Sequence, residues 1–140
     1  MKYPEHPEVA VGAVVFKNGR ILLVKRNKPP SEGHWAIPGG RVNLGETLRE
    51  AAEREIMEET GIAIRAGEPL LTFDVVERDD SGRIRFHYVI VDLAAEYVSG
   101  DPVAADDALD AAWISPEEFG GLNVSPPTRR FLKEMYAFGE

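Results

Sequence analysis

Apolar positions first cluster in Val9 to Phe16, a valine-rich run interrupted only by small residues, and again in Ile21 to Val24. Asn18-Gly19 stands between them and supplies the positive φ angles of a two-residue turn, so the pattern predicts a hairpin. Residues 27 to 45 hold Pro29, Pro30, Gly33, Pro38, Gly39, Gly40 and Gly45. So many breakers predict a long loop with at most a short strand at Trp35 to Ile37, and such loops in a compact domain usually serve function. Glu46 to Thr60 contains neither Gly nor Pro. Thr47-Leu48-Arg49-Glu50 is a capping-box sequence and Gly61 a C-terminal stop, which together predict a helix. From Ile62 to about Val98 the chain reads as strands, with period-two alternation from Arg83 to Tyr88 and a turn at Asp79-Asp80-Ser81-Gly82. The remainder predicts a short strand near Ala111 to Ile114 and a helix start at Ser115-Pro116-Glu117-Glu118. A last amphipathic helix runs from about Pro127 to Phe138, with Phe131, Leu132, Met135 and Phe138 on its apolar side. No repeat or linker divides the sequence, so one domain over residues 1–140 is expected.

The helix breaks its own pattern. On a wheel of about 100° per residue, Leu48, Ala51, Ala52 and Ile56 mark the face that should meet a sheet. Glu55, Glu58 and Glu59 fall on that same side, whereas Arg49, Glu50, Glu53, Arg54, Met57 and Thr60 fall elsewhere. Like charges at i, i+3 and i+4 repel, and turning them towards low dielectric adds a desolvation cost. An acidic stripe on a helix surface is the bland alternative, but this stripe coincides with the apolar face. Its oxygen-only donors suit a hard divalent cation such as Mg²⁺ or Mn²⁺.

Composition narrows the chemistry further. Sixteen Lys and Arg against twenty-four Asp and Glu leave a net charge of −8, which disfavours duplex nucleic acid and anionic membranes as partners. The absence of cysteine excludes disulfide scaffolds, thiolate metal sites and cysteine nucleophiles, and only His6, His34 and His87 offer imidazole. No apolar run approaches the roughly 18 residues of a membrane span and the first residues lack a signal core, so a cytoplasmic location is expected.

From Gly40 the sequence runs five residues to Glu46, seven more, then Arg54-Glu55-Ile56-x-Glu58-Glu59-x-Gly61-Ile62. This resembles the Nudix box at every defined position. Paired strands before it, Trp35-x-x-Pro38-Gly39-Gly40, and Ala112-Trp113-Ile114-Ser115 ahead of a final helix are similar to the family's surroundings. The resemblance implies an α/β fold, an α/β/α sandwich with a mixed β-sheet between helices, in one domain with its box at 40–62. It implies Mg²⁺- or Mn²⁺-dependent hydrolysis of a nucleoside diphosphate linked to another group. By position, Glu55, Glu58 and Glu59 resemble the metal carboxylates, and Gly40 the glycine that offers a backbone carbonyl. Glu46 and Arg54 resemble the ion pair that ties loop to helix, a structural role, since a guanidinium cannot ligate a cation. The general base is expected at Glu59 or Glu55. Asp106 and Asp107 stand where some members supply a further acid, and an acidic solvated loop is the alternative for each.

Arg26 and Arg41 are expected phosphate anchors, because guanidinium forks suit phosphate oxygens; plain surface charge is the alternative. Trp35, Phe86, Tyr88 and Trp113 are candidates for base stacking, although strand aromatics more often fill cores, and His87 shares a face with Arg83 and Arg85. The proline that often marks the family's ADP-ribose hydrolases would fall near Arg78, and the tyrosine of its diadenosine polyphosphate hydrolases near Asp79 or Asp80; both are absent. An ADP-ribose-like substrate is the leading expectation, with (d)NTP or oxidised-nucleotide hydrolysis as the alternative. A nucleotide sensor without turnover is a third reading, against which the intact box counts. A homodimer is expected by analogy alone.

Overall fold

A computed structural model describes residues 3–29, 31–106 and 108–139. The strands β1 (Glu8–Lys17) and β2 (Arg20–Arg26) form the expected hairpin, with Asn18 and Gly19 both at positive φ, 53° and 76°. Two short strands follow, β3 (Trp35–Ala36) and β4 (Gly39–Arg41), and then helix α1 (Leu48–Thr60). Long antiparallel strands β5 (Ala63–Arg78) and β6 (Ile84–Ser99) flank the predicted turn. After them come β7 (Ala108–Ile114), a short α2 (Pro116–Phe119) and α3 (Pro126–Tyr136).

The sheet is mixed. Along Glu8 to Val15, β1 runs parallel to Tyr88 to Ala95 of β6, while β4 pairs antiparallel with the first half of β1 and β2 with its end. β2 carries β3 on one side and β7 on the other. Alternation then sorts the β1 side chains between two layers. Val11, Ala13 and Val15 pack with Ala51, Ala52 and Ile56 of α1, whereas Val14 joins Phe119, Phe131 and Leu132 of α2 and α3. Helices thus cover both faces, as the resemblance implied.

α1 begins at the predicted capping box: Thr47 Oγ1 accepts from Glu50 N, and Glu50 Oε1 accepts from Thr47 N at 3.0 Å. It ends at Gly61 in the left-handed region, φ 74°. α3 differs from expectation at its end. Ala137 takes a positive φ and closes the helix, and Phe138 folds back onto Phe119 at 5.1 Å between ring centroids. Met135 is therefore not on the apolar side; it is 51% exposed, whereas Phe131 and Leu132 are buried. The periodicity fits all four positions, but it carries no information about where the layer stops. Leu132→Ala is expected to cost about 2–5 kcal/mol in urea denaturation, and Met135→Ala less than about 0.5 kcal/mol.

Candidate active site

The box folds as a loop clamped to a helix by one guanidinium. Arg54 Nε donates to Glu46 Oε2 at 2.6 Å and Nη2 donates to Glu46 Oε1 at 2.9 Å, a two-pronged bond that also reaches the Arg41 carbonyl at 3.0 Å. Glu46 Oε1 further accepts from Asn43 N at 2.8 Å. These donors hold the Glu46 carboxyl down at about 2, the Arg54 guanidinium first and the Asn43 amide second. A depressed carboxylate contributes stability that is present above its ordinary value of 4.5 and lost as pH falls through about 2. Relative to wild type, Glu46→Gln is accordingly expected to flatten the acid limb of stability between those pH values, read by thermal melts across pH.

Arg54 does more than the wheel implies. Its Nη1 lies 2.9 Å from Glu55 Oε1 and 3.1 Å from Glu58 Oε2, so the side chain crosses onto the acidic face that its Cβ direction excludes. The wheel records where a side chain starts; a long arginine ends several ångströms away. Glu55 also lies against Gly40, where a Cβ would sit 2.3 Å from Glu55 Oε2, so only glycine admits the carboxylate this close to the backbone. Glu59 is 7% exposed and its Oε1 accepts from Gly39 N at 3.2 Å. Glu58 is the most solvated of the three. The inward stripe thus grades from buried Glu59 through half-buried Glu55 to exposed Glu58. Among the described residues, no three acidic or histidine side chains converge as a metal cage, Arg54 being inserted between two of them.

The other expected residues are distributed around this cluster. Ala105 N donates to the Glu59 carbonyl and Val103 N to that of Thr60, so the loop after β6 ties off the C-terminus of α1. Exposed Asp106, φ 52°, follows directly; Asp107 lies outside the described residues. The next residue, Ala108, pairs with Arg26 at the end of β2, so Arg26 stands at the same loop. Arg41, one residue from Gly40, turns its guanidinium to Glu8 at 3.3 Å and is 64% exposed at the side chain. Trp113 packs edge-on against Tyr97 at 5.6 Å, and Trp35 of β3 is half-buried and bridged to Val124. Phe86 and Tyr88 lie nearly parallel, 6.2 Å apart, on β6. A β-bulge beside Arg78 alters the alternation near the hairpin tip, where Arg85 reaches Glu77 and Arg83 covers the Tyr3 ring.

One acid escaped the sequence reading. Asp92 interrupts the apolar run Val89-Ile90-Val91-x-Leu93 and is 6% exposed. The signal was the same one that exposed the helix, an acid inside an apolar pattern, on a strand instead of a wheel.

A mixed sheet between helices, with a glycine loop folded onto a carboxylate-bearing helix, is the α/β arrangement that the sequence resemblance implies. Comparison with known proteins agrees: the NUDIX domain model matches residues 6–137. The chain is 38% identical over 121 residues to an ADP-ribose pyrophosphatase of Methanocaldococcus jannaschii, covering 86% of this chain and 66% of that protein. It therefore spans just under two thirds of that relative's length. It is 33% identical over 135 residues to the nucleoside triphosphatase NudI of Salmonella arizonae, covering 86% and 90% of the two chains. The solved structure of a MutT Nudix hydrolase from Burkholderia pseudomallei superposes with a TM-score of 0.78 at 33% identity, over 94% of this chain and 99% of that one. The chain belongs to the Nudix family of hydrolases. No helix among the described residues is long and apolar enough to cross a membrane.

Proposed function

We propose that this chain, as a single Nudix domain with its box at 40–62, hydrolyses the pyrophosphate bond of a nucleoside diphosphate linked to another group. The substrate is ADP-ribose-like. The observation that carries the reading is the clamp of Arg54 on Glu46, Glu55 and Glu58, which brings loop and helix carboxylates into one rigid cluster. Likeness to a protein named ADP-ribose pyrophosphatase supports the choice of substrate. Hydrolysis of (d)NTPs is the second reading, supported by likeness to NudI over most of that protein's length.

The donor set fits a hard divalent ion, Mg²⁺ or Mn²⁺, because carboxylates of Glu55, Glu58 and Glu59 with the Gly40 carbonyl are oxygen ligands, and glycine leaves room for close approach. When bound, such an ion neutralises the pyrophosphate charge and lowers the pKa of a coordinated water. Glu59 or Glu55 takes the proton of the attacking water as the new O–P bond forms, and the bridging oxygen leaves with the second phosphate. Arg54 keeps the carboxylates in register. Arg26 and Arg41 anchor phosphate oxygens, the latter by leaving its exposed pair with Glu8; a further acid comes from Asp106, on the loop tied to Glu59, or from Asp107. A homodimer and a cytoplasmic location belong to the same reading.

The test is product analysis by mass spectrometry with Mg²⁺ and a panel of ADP-ribose, nucleotide sugars, dinucleoside polyphosphates and (d)NTPs, with light scattering for the assembly. AMP and ribose 5-phosphate from ADP-ribose are expected. A preference for (d)NTPs selects the second reading, and metal binding without turnover of any compound points to a nucleotide sensor.

A further inference from the structure

We infer that Asp92 is a specificity-determining residue that accepts a hydrogen bond from the exocyclic amino group of the substrate's base. The inference rests on the proposed nucleotide chemistry and adds a residue to it.

Asp92 lies in β6 between Val91 and Leu93, both of which pack towards α1, so its carboxylate points to the opposite face of the sheet. There it stands in register with Gly12 of β1, which in turn faces Gly39 of β4. A Cβ at Gly12 would lie 2.3 Å from Asp92 Oδ1 and 3.2 Å from Ile37 Cγ2. The chain has given up a side chain at Gly12 so that a carboxylate can occupy its space. The residue is 94% buried, yet among the described residues no hydrogen bond or ion pair reaches its side chain, whose oxygens keep a narrow opening to the surface. Burial alone pushes its carboxyl up to about 6. A carboxylate this buried is costly when no protein group donates to it, and only solvent through that opening offsets the cost.

A bound substrate can supply the missing donor. Two inter-strand spacings, roughly 10 Å, separate β6 from Gly39 and Gly40 of β4 across β1. That is the reach of a nucleoside from its phosphate to its base edge, with the phosphates at the box. Along the same face, Ile90 and its register partner Phe73 are half-buried and belong to none of the apolar clusters under the three helices. On the face of the sheet that Asp92 occupies, they offer an apolar floor that suits a planar base. An ionised carboxylate only accepts hydrogen bonds, so it attracts an N–H edge and repels a carbonyl. Adenine presents an amino group where hypoxanthine presents an oxygen.

The experiment measures binding of AMP and IMP by calorimetry without metal, and kcat/KM for ADP-ribose and its hypoxanthine analogue with Mg²⁺, in wild type, Asp92→Leu and Asp92→Asn. Wild type is expected to prefer the amino base by about tenfold, the scale of one hydrogen bond to a charged group. Asp92→Leu should bring the ratio near unity by weakening the amino base while its Tm stays level or rises. Asp92→Asn, which keeps an acceptor oxygen, should retain part of the preference, and it serves as the test variant if Asp92→Leu does not fold. An unchanged ratio in a folded variant, or no AMP binding by wild type, overturns the inference. Discrimination in binding without turnover would remove the proposed reaction and leave Asp92 standing; turnover without discrimination would do the reverse.

Discussion

Glu59→Gln is expected to lower kcat by at least about a hundredfold while leaving the fold intact, because metal and proton-transfer contributions are of that size. The structure explains why this substitution separates chemistry from stability. Glu59 is buried and its Oε1 accepts from the Gly39 amide, and glutamine keeps an acceptor oxygen of the same shape at that point. What it loses is the negative charge and the capacity to take a proton. The measurement is a pair, steady-state kinetics with Mg²⁺ and a thermal melt. A folded variant with near wild-type kcat would remove Glu59 from the chemistry.

The second large effect is expected at Arg54, and there stability and activity should fall together. Arg54→Ala removes donors from Glu46, Glu55, Glu58 and the Arg41 carbonyl in one step. The three carboxylates then face one another without the cation between them, and the 41–46 loop loses its tie to the helix. A fall in Tm of about 5 °C and a loss of activity on the order of tenfold to hundredfold are expected. Arg54→Lys should recover little, since a point charge cannot make the two-pronged bond to Glu46 while spanning the others. An unchanged Tm in Arg54→Ala would show that the box loop is held by other contacts.

Much of this fold was legible because local signals agreed with one another. The Asn18-Gly19 turn, the Thr47 capping box and the Gly61 stop each appear where the residue pattern puts them, since each is set by backbone chemistry within a few residues. The carboxylate stripe was legible as a conflict between charge and periodicity. What escaped depends on distance through space. Met135 fits the helical period, yet Ala137 ends α3 and Phe138 takes the buried position beside Phe119. The wheel assigns Arg54 to another face, but the length of its side chain carries it over the stripe. Asp92 shows in the sequence only as an acid within an apolar run; that it lies over Gly12 follows from the parallel pairing, which no neighbouring residue announces.

That pairing also governs when the site comes into being. Each contact of the β1–β6 ladder, from Glu8 with Tyr88 to Val15 with Ala95, joins positions 80 residues apart, and the whole box lies inside the loop so closed. Closing a long loop before any ladder bond forms is slow and entropically opposed. On the ribosome the box is complete in sequence by residue 62, yet the strand that seats β1 beside it has not been made. Until Ala95 has emerged, the sheet under the nascent helix lacks β6, whose Val91 and Leu93 pack with Ala51 and Ala52. A chain arrested before that point should carry every residue of the motif and bind no nucleotide.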